Sequence, residues 1–370
     1  GWRGAAELTL SLSQGVPWRV FTLDDPRRVV LDFKEIDWED LTAQDLGAVD
    51  GVEAIRFGAY RPGWSRMVLD LERPFAVESA GMTVTEATGR AQLKLVLAPS
   101  DTLAFAKMAG APHDPRWDLP EPADTTAVAR QARPDWAPTV VVIDPGHGGI
   151  DPGAERDDAQ EKDLMLLFAR ELRDVLRRAG GFEVVLTRDE DAFVSLEGRV
   201  AIAHQAQADV FISLHADSLS QGNAKGATVY TLSEEASDTA SALLAERHDR
   251  ADILSGVDLS GADDEVTDVL LDLARLETEP RTMMLAETLV GALKETTVRL
   301  NRKPLRTGGF SVLKAADIPS VLIEVGFLSS PRDLKNLQDP AWRATVTRGI
   351  LNGLVAWREE DATRRALVRQ

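Results

Sequence analysis

The hydrophobic pattern of this chain changes its period once, and a proline-rich stretch marks the change. From residue 5 to about 98, apolar and polar residues alternate in short runs: Glu7–Leu12, Trp18–Leu23, Arg28–Phe33, Ser65–Leu71 and Ala91–Leu97. A period of two puts successive side chains on opposite faces of a sheet. Turn residues separate the runs (Gly15, Asp24-Asp25-Pro26, Arg61-Pro62-Gly63). The expected unit over 1–98 is therefore a small all-β sandwich. It contains no His and no acid pair with an obvious base, so it reads as a binding module. Residues 99–138 hold seven prolines and read as an extended, semi-rigid linker. His113 and the isolated Trp residues there carry no evident chemistry.

From 139 to 370 the pattern is different. Short apolar runs (139–143, 182–186, 209–214, 228–232, 320–325) alternate with stretches of helical spacing. Leu164, Leu167, Phe168, Leu172 and Val175 form one such stretch, and 196–207, 283–294 and 342–358 form others. This alternation predicts an α/β domain, a mostly parallel open sheet with helices on both faces.

Composition narrows the function. Forty-two Lys+Arg against 60 Asp+Glu leave a net charge of −18 over 370 residues. Nucleic-acid binders carry a basic footprint, so that class is excluded. No apolar run reaches the roughly 20 residues of a membrane span. There is no Cys, hence neither a disulfide framework nor a thiolate zinc site. The chain opens at Gly1-Trp2 without a Met or a leader-like segment, as a mature or trimmed form with its signal peptide absent would, and the lack of Cys is compatible with the cytosol or an exported compartment.

The chemistry gathers where strands end. Asp144-Pro-Gly-His147-Gly-Gly149 follows the run ending at Ile143, and His215 follows the run ending at Leu214. Open α/β sheets bind ligands beyond the carboxyl ends of their strands. Glu161 opens the next helical stretch, where the macrodipole favours an anion. Two imidazoles and a carboxylate suit a catalytic zinc site with one position left for water. By spacing alone Glu161 is equally an ordinary helix-start acid. Glu324 lies inside the apolar run Val321-Leu-Ile-Glu-Val325, and burying an unpaired carboxylate is costly. It is the candidate general base. His204, in a helical stretch, reads as structural.

These motifs also resemble a known family. Val142–Gly149, Glu161-Lys-Asp163, Ile212–Asp217 and Ile323–Leu328 are similar to zinc-dependent N-acetylmuramoyl-L-alanine amidases, and most to the AmiC-like enzymes of Gram-negative cell division. The resemblance covers 139 to about 358. It implies one Zn2+ per chain held by His147, Glu161 and His215, with Glu324 catalytic. It implies cleavage of the amide between N-acetylmuramic acid and L-alanine in peptidoglycan, in the periplasm, during septal wall splitting. The first 98 residues resemble the AMIN domain of the same enzymes, implied to bind peptidoglycan and target the enzyme.

The acidic charge is concentrated. Residues 231–280 hold 14 acids against three arginines and no lysine, a net of −11 out of −18. Two helices are expected there, about 237–253 and 264–276. Without the resemblance this is a solvated helical excursion. AmiC-like enzymes are implied to carry an autoinhibitory insertion here (about 234–280), relieved by an activator with a LytM-type domain. Relatives usually have Glu-Asn where this chain has His248-Asp249. Candidates for the zinc-capping ligand are therefore His248 and Glu246. The apolar set Val266, Val269, Leu270 and Leu273 is the candidate activator-docking surface. A zinc peptidase acting on the stem peptides is the competing enzyme reading, and a non-catalytic wall-binding protein the competing non-enzyme reading.

Overall fold

The computed structural model describes residues 5–34, 36–38, 41, 46–47, 49–61, 63–85, 88–111, 137–218, 225–233, 235–254, 268–296 and 298–368, with the backbone path alone for 61, 250–254, 268–277 and 365–368. The chain forms two compact units.

Among the described residues of 5–111, the first unit is all-β apart from one short helix. Its strands are β1 (Ala6–Leu12), β2 (Trp18–Leu23), β3 (Arg28–Lys34), β4 (Val52–Arg61), β5 (Trp64–Leu71), β6 (Phe75–Val84) and β7 (Ala91–Pro99). They form two antiparallel sheets, β1-β7-β6 and β2-β3-β5-β4. Alternation does what the sequence pattern dictates. In β1, Ala6, Leu8 and Leu10 are buried while Glu7, Thr9 and Ser11 are exposed. Leu93, Leu95 and Leu97 of β7 join Val29, Leu31, Phe33, Met67 and Leu69 in one core. The start of the proline-rich stretch is not extended as expected. Residues Thr102–Met108 form a helix, α1, whose N-cap Asp101 accepts the Ala104 N–H at 2.9 Å. Phe105 of α1 is buried in the same core, and that packing outweighs the extended bias of the flanking prolines. His113 and the rest of the stretch to 136 lie outside the described residues.

The second unit is α/β. Its chain order begins with β8 (Thr139–Pro145), a two-residue pair β9 (Glu155–Arg156) and β10 (Ala159–Gln160), α2 (Glu161–Ala179), β11 (Phe182–Leu186) and α3 (Leu196–Gln205). It continues with β12 (Val210–His215), β13 (Ala227–Leu232), α4 (Thr239–Leu254), α5 (Asp268–Glu295), β14 (Leu300–Gly308), β15 (Ser320–Glu324), α6 (Pro331–Gln338) and α7 (Pro340–Val368). The sheet order is β11-β8-β12-β15-β13-β14, with only the β13–β15 pair antiparallel. Helices α2, α5 and α7 pack one face, and α3 with Leu244 and Ala245 of α4 packs the other. Central strands β8, β12 and β15 are buried along their whole length, which is why they read as apolar runs.

The insertion differs from expectation in one respect. The second expected helix does not stop at 276. It continues through Pro280 as α5 to Glu295. Proline removes one backbone donor, but Met284, Leu285, Leu289 and Leu293 are buried in the core and hold the helix on course. Strand β14 has no clear hydrophobic pattern in the sequence, since most of its residues are only half-buried. Among the described residues no helix is long and apolar enough to cross a membrane.

Candidate metal centre and catalytic site

The site lies beyond the carboxyl ends of β8, β12 and β15. Parallel register sets His215, the last residue of β12, directly beside Glu324, the last residue of β15. His147 sits two residues past the end of β8. Gly146 lets the loop pass close to β12: its N–H donates to the Leu214 carbonyl at 3.0 Å, and a Cβ there would run into the His215 ring.

Glu161, fully buried at the first turn of α2, lies between the two imidazoles. Its Oε2 is 3.3 Å from His147 Nε2, and its Oε1 is 3.2 Å from His215 Nδ1. Backbone amides also hold it, Ala154 N–H on Oε2 (2.9 Å) and Ala216 N–H on Oε1 (2.8 Å). Burial alone would raise this carboxyl, but His147 and His215 hold it well below the usual carboxylate range. Burial and the neighbouring His248 push His215 down to about 3, so its imidazole is neutral and free to act as a ligand. Ligands about 2.0 Å from a tetrahedral Zn2+ lie roughly 3.3 Å from one another. The contacts of Glu161 with both histidines match that edge length.

Glu324 is fully buried, and its Oε2 accepts the Asp217 N–H at 3.0 Å. Its Oε1 has no hydrogen-bond partner among the described residues. Burial, then Glu161, then Asp217 push its carboxyl well above the usual range. A carboxylate poised in this way suits a proton acceptor that later donates.

A third imidazole enters from the insertion. His248 of α4 is 4% exposed, and its ring centroid lies 4.1 Å from that of His215 and 5.7 Å from that of His147. One nitrogen from each of the three rings lies within 4.8 Å of the others. Its Nε2 is 3.8 Å from Glu324 Oε1 and 3.7 Å from Asp217 Oδ2. Neither His248 nitrogen has a hydrogen-bond partner among the described residues. A buried polar group left unpaired costs about 1–3 kcal/mol, so these nitrogens call for a partner such as a cation. The donor set of three imidazoles and a carboxylate fits Zn2+.

The helix that carries His248 is held by a few specific contacts. Asp238 accepts the Ser241 N–H at 2.9 Å, capping the first turn, and pairs with Arg306 at 2.6 Å. Arg247 Nη1 donates to Asp217 Oδ1 at 2.7 Å, and both oxygens of Asp249 accept from Ser311 (N–H 3.0 Å, Oγ–H 2.9 Å).

The comparison with known proteins bears on this geometry. The N-acetylmuramoyl-L-alanine amidase family matches residues 141–356, and the AMIN domain matches residues 2–97. The N-acetylmuramoyl-L-alanine amidase AmiC of Escherichia coli O6:H1 is 30% identical over 373 residues, covering 96% of this chain and 87% of the relative. The chain belongs to the N-acetylmuramoyl-L-alanine amidase family. AmiC of Neisseria meningitidis serogroup B is 32% identical over 364 residues, covering 94% of this chain and 85% of the relative. AmiA of Salmonella typhimurium is 37% identical over 220 residues, 59% of this chain and 75% of that protein.

Within this amidase the residues singled out from the sequence part company. His147, Glu161, His215, Glu324 and His248 converge. Glu246 does not: it is exposed, and the buried stripe among the described side chains of α4 is Ser241, Leu244, Ala245 and His248. Val266 lies outside the described residues, and Val269, Leu270 and Leu273 fall in the first turns of α5. His204 is a half-buried partner of Asp317 at 2.8 Å, away from the site. Sequence reasoning missed Asp217, although it ends the motif Ile212–Asp217. It also missed Arg188 and Arg199, whose only trace is a charged residue beside apolar runs.

Proposed function

We propose that this amidase is a zinc-dependent peptidoglycan hydrolase of the periplasm that splits the septal wall and is silenced at rest by α4. Its scissile bond is the amide between the muramic acid lactyl group and L-alanine. His147, Glu161 and His215 would hold the metal. Bound there, Zn2+ would acidify water and polarise the carbonyl of the amide. Glu324 Oε1 would take the proton of the attacking water and deliver it to the leaving nitrogen, while the Asp217 N–H fixes Oε2.

The observation that carries the resting-state part of this reading is the convergence of His248 on the same group of ligands. An imidazole at that place lies 4.1 Å from the His215 ring and 3.8 Å from Glu324 Oε1, where the attacking water would have to stand. A LytM-type activator would relieve the block by drawing α4 away, with Val266, Val269, Leu270 and Leu273 as its proposed docking set. Wall binding by the first unit would supply targeting.

The test is release of stem peptide from purified sacculi, read by mass spectrometry. The wild type without activator should be slow, and His248→Ala should be faster by about tenfold or more, with loss of activity on chelation. Intact glycan strands with free L-alanine-ended peptides identify the bond. Unchanged activator-free release by His248→Ala would sink the capping role, and cleavage within the stem peptide would sink the bond assignment. Leu270→Asp with Leu273→Asp should weaken activator binding; undiminished binding would clear that surface.

A further inference from the structure

The loop that carries His147 is bent against its own preference. His147 has φ +60°, a left-handed conformation that costs a non-glycine residue about 1–2 kcal/mol. Something in the fold must over-determine it, and two buried arginines do. Arg199 of α3 and Arg188, just past β11, are 3% and 4% exposed. Arg199 Nη1 donates to the Pro145 carbonyl (2.9 Å), and its Nη2 donates to the carbonyl of His147 itself (2.9 Å). Arg188 Nε donates to Pro145 O (3.1 Å), and its Nη2 donates to Gly146 O (2.9 Å) and Lys162 O (2.8 Å). Three consecutive carbonyls are thus turned to one side and captured, which drives the imidazole to the other side, toward Glu161 and His215.

Beneath them stands Asp144, fully buried, which fixes Arg199 at 2.6 Å and accepts the hydroxyls of Thr187 (2.6 Å) and Ser213 (2.7 Å). Asp144 pairs directly with Arg199, and Asp144, Asp191 and Asp163 together offset the charge of Arg188. What the loop takes from the two arginines is the fork of donors that a guanidinium offers and an ammonium does not. Arg188 bears this out: burial and then Arg199 lower it to about 10, and its guanidinium donates to the backbone carbonyls of Pro145, Gly146, Lys162 and Glu190.

We infer that Arg199, braced by Asp144 and assisted by Arg188, is a positioning residue that holds His147 in its left-handed, ligand-competent conformation. The inference rests on the metal reading proposed above and adds to it what makes the first ligand available. Outer-shell partners of metal ligands are commonly worth 10–100-fold in metal affinity.

The test uses the full chain and reads the metal directly: Zn2+ affinity by chelator competition, and the visible absorption of the Co2+-substituted protein. Arg199→Met should lower Zn2+ affinity about 10–100-fold and weaken or shift the Co2+ bands, with the metal-free protein still folded by circular dichroism. Arg199→Lys keeps the charge but loses the fork, and should recover little of the affinity. Should Arg199→Met not fold, Ser213→Ala and Thr187→Val loosen Asp144 alone and should each reduce affinity a few-fold. Wild-type affinity and an unshifted Co2+ spectrum in Arg199→Lys and in these two variants would overturn the positioning role. A wild-type chain that binds no stoichiometric metal would instead overturn the metal reading.

Discussion

Helices α2 and α4 both deliver a residue to the same cluster, and they are built in opposite ways. α2 buries Met165, Phe168, Ala169, Leu172 and Leu176 along one face. It sets Glu161 and Asp163 in its first turn and Arg177 and Arg178 in its last, as the helix dipole favours. α4 has no acid in its first turn and no base in its last, and among its described side chains the buried ones are Ser241, Leu244, Ala245 and His248. Removing α2 would open the main core. Releasing α4 would uncover a narrow stripe and break a few polar contacts. In the proposed function Glu161 on α2 is therefore the fixture, and His248 is carried by the element that would leave.

The largest effect expected lies on the fixed side. Glu324→Gln in a His248→Ala background should lower stem-peptide release by roughly 10²–10⁴-fold while the fold and metal content persist. Residual hydrolysis near that of the background would reassign the proton acceptor. The next prediction sets the helices against each other. Phe168→Ala should destabilise the second unit by about 3–5 kcal/mol in denaturant unfolding. Leu244→Ala should leave that global transition nearly in place and raise activator-free release instead. Equal losses of global stability would abolish the distinction between fixture and cap.

A smaller effect concerns the catch on α4. Ser311→Ala removes one hydrogen bond to Asp249, worth about 1 kcal/mol, and should raise the released population about fivefold. The check is activator-free release, with hydrogen exchange across 239–254. The smallest effect is on pH dependence. Burial would raise Asp144, but Arg199, Ser213 and Thr187 hold it below the usual range. A carboxyl depressed in the folded state contributes its stability in full above about pH 4 and loses it as pH falls through the folded value. Asp144→Asn should therefore flatten the fall in stability as pH drops below about 4, seen in thermal melts.

Much of this was legible in one dimension. Alternation in β1 and β7 marks a two-faced sheet because one face meets solvent, and unbroken apolar runs mark β8, β12 and β15 because both faces are covered. His147, His215 and Glu324 stand out because a polar group at the end of an apolar strand needs a reason to be there. Strand β14 escaped notice because its burial is only partial and its residues Asn301-Arg302-Lys303-Pro304 mask any alternation. The choice between His248 and Glu246 was undecidable from spacing near 248. It turns on which stripe of α4 faces inward, and Leu244 and Phe310 settle that by packing.

What the sequence determined by itself is the inventory: two periods, two units, and a set of imidazoles and carboxylates at strand ends. Only the tertiary structure decided how they meet. The left-handed turn at His147 is held by arginines 41 and 52 positions away in the chain, and His248 reaches the cluster from a helix outside the strand–helix alternation. Local periodicity reports which face of an element is buried; it carries no record of which distant donor captures a carbonyl, because that depends on how the elements pack.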